Sequence, residues 1–515
     1  MTIKDAIQKI RQEIKPFQII IIVLLLIWLD LFLLKGINLT TADAGRHIKN
    51  GELFLQNFKV LDTNFYSYTY PHFPFVNHHW GSGILFFLIW KMAGFSGLSF
   101  FYITLSLATF LIFFRIAWKK STFEIAVLCS ILTIPLIGER TEVRPEVLSC
   151  FFSAIFLWVL FKVKDKEISH KFLYLLPIIA LLWINTHVYF FLGFFILGLF
   201  FIESLIRKDR FLSEKIFVTG LLSLLISFIN PFTWKAIVYP FFIFKNYGYT
   251  IVENQSVRFL ENYGIANPNF AILKLTLFVF ILSAIVLLTR NRKTFSFILF
   301  ASTFVIGILA CLALRNFTLF GFFALPAIAY QLKNSIKSDE SSAKTIIALF
   351  SIVLFAVIAT LSYPKISDSN NENLGLLPKI NAAAEFYKAN KIQGSIFNNY
   401  DIGGYLIFHL YPEKVFVDNR PEVYPESFFK DVYILMQENN DVWKKTEEQY
   451  DFNVIFFYRN DITPWAQKFL KSRIDDPEWT PVFVDQYAII FLKNDEINKS
   501  IIEKYRIPRE KFSVK

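Results

Sequence analysis

Long apolar runs broken by short polar and basic stretches fill the first 362 residues. After a polar, basic segment at 1–15, residues 17–34 read as the first bilayer-crossing helix, a task that takes roughly 20 apolar residues. No small-residue cleavage site follows it, so it reads as a retained helix and not a signal peptide. Further runs at 97–114, 121–137, 145–163, 172–187, 188–206, 214–230, 269–289, 294–314, 316–333 and 345–362 bring the expectation to about eleven spans. Ile84–Ala93 is too short to cross and reads as a re-entrant or interfacial helix.

That choice settles the expected orientation. The clusters Arg115/Lys119/Lys120, Lys162/Lys164/Lys166, Arg207/Lys208/Arg210, Arg290/Arg292/Lys293 and Lys333/Lys337 then share the side of the N-terminus, which the positive-inside rule places in the cytoplasm. If Ile84–Ala93 crossed instead, these clusters would all face outward. The first long loop, 35–80, is therefore expected outside.

After residue 362 the pattern changes. Residues 363–377 form a polar linker, and 378–515 read as a small, extracytoplasmic α/β domain. GSIFN, KVFVDN and NVIFFY look like short buried strands, and PVFVDQYAIIFL like a closing hairpin around Gln486. Three or more parallel strands with the hairpin at an edge are expected.

Composition supports this division. With 54% hydrophobic residues, 18% charged residues and 61 Phe, the 515-residue chain is too apolar to be soluble. Its net charge of +11 lies in the clusters between apolar runs, so nucleic acid is excluded as a partner and the bilayer is the expected one. The cysteines Cys129, Cys150 and Cys311 lie within apolar runs without metal-ligand spacing and read as packing residues.

The candidate chemistry gathers outside. The stretch Asn38–Trp80 carries four of the seven histidines, together with Asp43. The expected topology brings Arg144 and Glu146, Asn185 and His187, Asn230, Glu253, and Arg315-Asn316 to the same face as Asp43, His47, His78 and His79. Ionisable groups at membrane depth cost several kcal/mol unless they face a wet or paired interior, so an outward-opening polar cavity is expected. Plainer readings stand beside this one. Asp43 equally suits an N-cap of an interfacial helix in TADAGRHIKNGELFL, single Arg or His residues serve as interfacial anchors, and Tyr66, Tyr68 and Tyr70 suit an aromatic belt or a sugar-stacking surface. The external, Asn- and Tyr-rich loop Lys245–Phe270 suits hydrogen bonding to a hydroxyl-rich ligand. In the tail, Tyr400-Asp401-Ile402-Gly403-Gly404-Tyr405 and Asp418-Asn419-Arg420 sit at carboxyl ends of expected strands, where α/β sheets place ligand sites. They serve either as turns or as contacts with the cavity or an acceptor.

The order of these pieces resembles the GT-C superfamily of integral-membrane glycosyltransferases, in particular prokaryotic chains grouped with protein mannosyltransferases. The matching segments are Asp43 to His47 with Gly51-Glu52, Phe65 to Thr69, Asn77-His78-His79-Trp80, Arg144-Pro145, Trp183 to His187 with Gly193, Asn230-Pro231, Glu253 with Gln255, Arg315-Asn316, and the two tail motifs. Departures are the single early acid Asp43 where related chains carry a pair, Asn64 before the FYSYT stretch, and His79 where an acid is common. The resemblance implies transfer of a sugar from a polyprenyl-phosphate donor to a hydroxyl of a glycan, lipid or protein acceptor, with inversion, on the outer face of the plasma (inner) membrane. It implies Asp43 as general base, Arg144, Arg315 and His187 as donor-phosphate contacts, and His47, His78, His79, Trp80 and Glu253 as acceptor or sugar contacts. It also leaves open a divalent cation, Mg or Mn. The alternative from topology alone is a multi-pass transporter or lipid-glycan flippase, for which paired broken helices or an internal repeat would be expected.

Overall fold

The structure, a computed structural model, describes residues 15–243, 247–335, 341–367 and 374–512. The basic N-terminal segment up to residue 14, Lys337 and residues 368–373 of the linker lie outside these residues. Every expected apolar run is helical over most of its length. Among the described residues, six helices are long and apolar enough to cross a membrane: Pro16–Leu33, Trp80–Lys120, Glu146–Lys164, Val188–Ile206, Pro268–Thr294 and Lys344–Ile366. Shorter apolar helices, Phe123–Ile137, His170–Ile184 and Phe297–Leu312, pack among them. The protein is a multi-pass membrane protein with a small C-terminal sheet domain.

The Trp80–Lys120 helix has 41 residues, about twice what one crossing needs. It breaks at Gly94, where φ is 63° and ψ is −160°, a conformation open to glycine and costly for other residues. Ile84–Ala93 is thus a separate helical segment joined to the long one at a bend.

The first loop opens with the Ala44–Asn57 helix, which runs against the start of the Trp80–Lys120 helix. The two touch backbone to backbone: a Cβ on Gly51 would lie 2.1 Å from the Gly83 carbonyl oxygen, and one on Gly83 would lie 2.9 Å from that of His47. Only glycine permits this approach.

The C-terminal domain holds a four-stranded sheet in the order β1-β2-β4-β3, with β1 Ser395–Asn398, β2 Phe452–Tyr458, β3 Trp479–Val484 and β4 Ala488–Lys493. Only β1 and β2 run parallel; β2–β4 and β4–β3 are antiparallel. This corrects the expected set of three parallel strands. The segment KVFVDN joins no sheet, because its backbone is claimed elsewhere. Val415 bridges to Ser67 of the first loop, and the Asn398 side chain accepts from Phe416 N–H and donates to the Val417 carbonyl. Val454 and Phe456 of β2 fill one face of the sheet, and Ile455 and Phe457 the other.

The first loop and the tail are built into one another. Val415 N–H donates to Tyr66 O, and Tyr68 N–H donates to Val415 O. Tyr66 donates its hydroxyl to Asn50 Oδ1 at 2.7 Å, Tyr68 to Ile396 O at 2.8 Å, and Tyr70 packs on Tyr424 and Phe428. These tyrosines fasten the loop to the domain, so they form neither a belt nor an open stacking surface. Ile37 pairs with Leu376 near the end of the linker, tying the entry to the tail to the start of the first loop.

Candidate active site

Between the helical body and the C-terminal domain lies a cavity of about 670 Å³. Its lining includes four guanidiniums, Arg46, Arg144, Arg315 and Arg420, and four carboxylates, Asp43, Glu253, Asp401 and Glu422. Phe191, Leu192, Leu309, Leu312 and Leu319 give it one apolar wall.

Asp43 stands at the start of the Ala44–Asn57 helix, but its side chain makes no cap. It faces the cavity instead. Its Oδ1 accepts from Arg46 at 3.0 Å and from Asn419 Nδ2 at 2.7 Å, and Arg144 lies 3.6 Å from Oδ2. Arg46 also donates to Asn419 Oδ1 at 3.1 Å, so the tail motif closes a ring over Asp43. Burial alone would push the Asp43 carboxyl up; Arg144, Arg46 and His47 outweigh it and hold it below the usual carboxylate range.

A lattice of ion pairs extends from there. Arg144 pairs with Glu253 at 2.7 Å and with Glu142 at 2.6 Å. Arg140 pairs with Glu253 at 2.6 Å and approaches Glu146 at 3.3 Å. Arg315 donates to Glu146 at 2.7 Å and to Asn254 at 3.0 Å. Burial opposes ionisation of Glu253, yet Arg140 and Arg144 keep it anionic. Glu253 thus lines the cavity while held by two arginines.

The histidines divide. His78 and His79 line the cavity. His47 and His187 lie behind them: the His47 ring meets His79 edge-on at 5.1 Å, and His187 stacks on His79 at 5.2 Å. Trp183 Nε1 donates to Ser149 Oγ, which sits 2.7 Å from His187 Nδ1. His187 therefore supports His79 from behind the cavity wall and does not itself line the cavity. His78 is pushed down to about 4 by burial, so it is neutral near pH 7. Trp80 is not brought to the cavity; its Nε1 donates to Asn185 Oδ1 at 3.0 Å and its ring lies by Phe54.

Some residues of the site were not assigned a role from the sequence. Arg46 follows Asp43 by three positions, the spacing at which side chains meet on a helix, and that signal was available. Arg140, which stands behind the cavity and pairs with Glu253, lies four residues before Arg144 in the same short loop. Asp401 lies in the tail motif at the carboxyl end of an expected strand, whereas Glu422 carried no signal. The Asp401 carboxyl is pushed up to about 7 by burial and by the charges of Asp461, Glu142 and Asp43. Burial also raises Glu422, against its own backbone N–H and the charges of Arg46 and Arg420.

Among the described residues no three His, Cys, Asp or Glu side chains are placed to share a metal ion. The Asp43 and Glu253 oxygens that would lead such a set already carry guanidinium partners. Among the described residues, the divalent cation left open by the sequence finds no ready-made set of ligands.

No protein-family model and no curated protein matches the chain. Solved structures do. The archaeal oligosaccharyltransferase AglB from Archaeoglobus fulgidus, in complex with an inhibitory peptide and a dolichol-phosphate, aligns with a TM-score of 0.61 over 94% of this chain and 75% of its own, at 11% identity. ArnT from Cupriavidus metallidurans, bound to undecaprenyl phosphate, aligns with a TM-score of 0.52 over 92% and 97%, at 10% identity. The chain has the GT-C fold. The mycobacterial arabinofuranosyltransferase AftD shares it, with a TM-score of 0.55 over 93% of this chain and 42% of its own, at 13% identity. At such identities the likeness is one of fold. The cavity lies where the first loop, the adjoining helix ends and the C-terminal domain meet.

Proposed function

We propose that the protein is a membrane glycosyltransferase that moves a sugar from a polyprenyl-phosphate donor to an acceptor hydroxyl. The observation that carries this reading is the cavity, which sets an arginine-rich polar surface beside an apolar wall. A lipid-linked phosphate needs both: a guanidinium fork for the phosphate and hydrocarbon for the tail. The structural neighbours AglB and ArnT, solved with dolichol-phosphate and undecaprenyl phosphate, support the same class of donor. In this reading the N-terminus is cytoplasmic and the C-terminal domain extracytoplasmic.

The acceptor oxygen attacks the anomeric carbon with inversion, and polyprenyl phosphate leaves. Arg315 and Arg144 meet the charge that builds on the departing phosphate, the form of electrostatic aid that most favours such a step. His78 and His79, neutral and on the cavity wall, orient the sugar or the acceptor. A cavity carboxylate takes the proton, Asp43 being the sequence's candidate.

The test is transfer of radiolabelled sugar from native polyprenyl-phosphate donors, in membranes holding the parent or Arg315→Ala at matched levels. Transfer by the parent and its loss in the variant support the reading. No transfer by the parent from any donor overturns it.

A further inference from the structure

The carboxylates of the cavity fall into two groups. Those on the membrane-domain side have cation partners: Asp43 holds Arg46 and Arg144, and Glu253 holds Arg140 and Arg144. Asp401 enters from the C-terminal domain, and among the described residues its side chain makes no ion pair and no hydrogen bond. The charges that reach it are those of Asp461, Glu142 and Asp43, all negative, and the ionisable neighbours packed about it are Tyr249, Tyr433 and Tyr458. Glu422, the other carboxylate of this wall, feels Arg46 and Arg420 and its own backbone N–H. Asp401 is thus the most proton-avid carboxylate that faces the cavity.

Its position is also fixed. Tyr400 N–H donates to the Tyr433 hydroxyl at 2.8 Å, and the Tyr400 ring stacks on Tyr249 at 4.2 Å. On the other side Gly403 lies against the backbone of Val417 and Asp418, where a Cβ would come within 2.5 Å of the Val417 oxygen. The turn that carries Asp401 is clamped from both ends, as a group that must meet a reacting atom requires.

We propose that Asp401, carried by the C-terminal domain, is the general base that takes the proton from the acceptor hydroxyl. The inference rests on the transferase reading. In the step, the acceptor oxygen forms a bond to the anomeric carbon while its proton passes to an Asp401 oxygen. The bond from that carbon to the phosphate oxygen breaks, and its electron pair leaves with polyprenyl phosphate on the side of Arg144 and Arg315. Asp43 stays anionic throughout and acts as a positioning residue for Arg46 and Asn419. A carboxylate already bound by two arginines and an amide is a weak proton acceptor, whereas a base works best when its pKa lies near the working pH.

The experiment measures transfer against pH in membranes holding the full-length parent, Asp401→Asn, Asp401→Glu or Asp43→Asn, with undecaprenyl phosphate binding measured in parallel. The parent rate should rise with pH through about 7 and then level, because the base acts only when ionised. Asp401→Asn should bind undecaprenyl phosphate as the parent does yet lose about 10²-fold or more in rate, together with the rise. Asp401→Glu should recover part of the rate and the rise, and Asp43→Asn should keep the rise at whatever rate remains. The proposal is overturned if Asp401→Asn keeps the pH rise, or if the rise disappears in Asp43→Asn instead. A parent that binds undecaprenyl phosphate but transfers nothing overturns the transferase reading itself, and this inference with it.

Discussion

The two walls of the cavity handle charge in opposite ways. On the membrane-domain wall, acids and arginines are matched into a lattice running from Asp43 through Arg144, Glu253 and Arg140 to Glu146 and Arg315. On the domain wall, Asp401 faces the same space without a cation among the described residues. The difference teaches that a carboxylate's neighbours decide its chemistry more than its presence does. A paired acid organises arginines for an incoming anion; an unpaired one is left to handle protons.

The comparison breaks most completely if the lattice loses its hub. Arg144 contacts Asp43, Glu142 and Glu253, so Arg144→Ala leaves Asp43 to Arg46 and Glu253 to Arg140 as their remaining cations and should cost about 3 kcal/mol. A lowered unfolding midpoint of the purified protein in detergent, with transfer lost, is the expected result; a midpoint unchanged from the parent would show the lattice to be weak. Next comes the scaffold beneath that wall. Gly51→Ala forces the Ala44–Asn57 helix off Gly83, and overpacking of this kind should cost about 1–3 kcal/mol, read as lower yield and a lower midpoint. Asn419→Ala tests the join between the walls. It removes hydrogen bonds to Asp43 and Arg46 and should cost about 1–2 kcal/mol, with faster hydrogen exchange in residues 415–420 and no matching change in the Glu146–Lys164 helix. The smallest effect belongs to Glu142→Gln: its side chain is 42% exposed, and exposed pairs contribute roughly 0–1 kcal/mol, so midpoint and transfer should stay close to the parent's.

Much of this arrangement was legible in the chain. The apolar runs forecast the helices, and the polar residues at their outward ends forecast Asp43, Arg144, Glu253 and Arg315 on one cavity. The failures are local and have a shared cause. Trp80 neighbours two cavity residues in sequence, yet its indole found Asn185, which lies 105 positions away. KVFVDN has a strand's composition, yet the Asn398 side chain and the first loop took its backbone bonds. Tyr66, Tyr68 and Tyr70 have the composition of an interfacial belt, and the tail covered them.

The sequence by itself determined that this is a multi-pass membrane protein with a tail domain, because hydropathy and run length act residue by residue and need no partner. It also determined which face would collect polar groups, since buried charge is tolerated only where it can be paired or wetted. Only the tertiary structure decided which acids are paired and which stay open. Asn419 reaches Asp43 across 376 positions and Asp401 meets no cation among the described residues, and pairing depends on distances of a few ångströms that spacing along the chain does not encode.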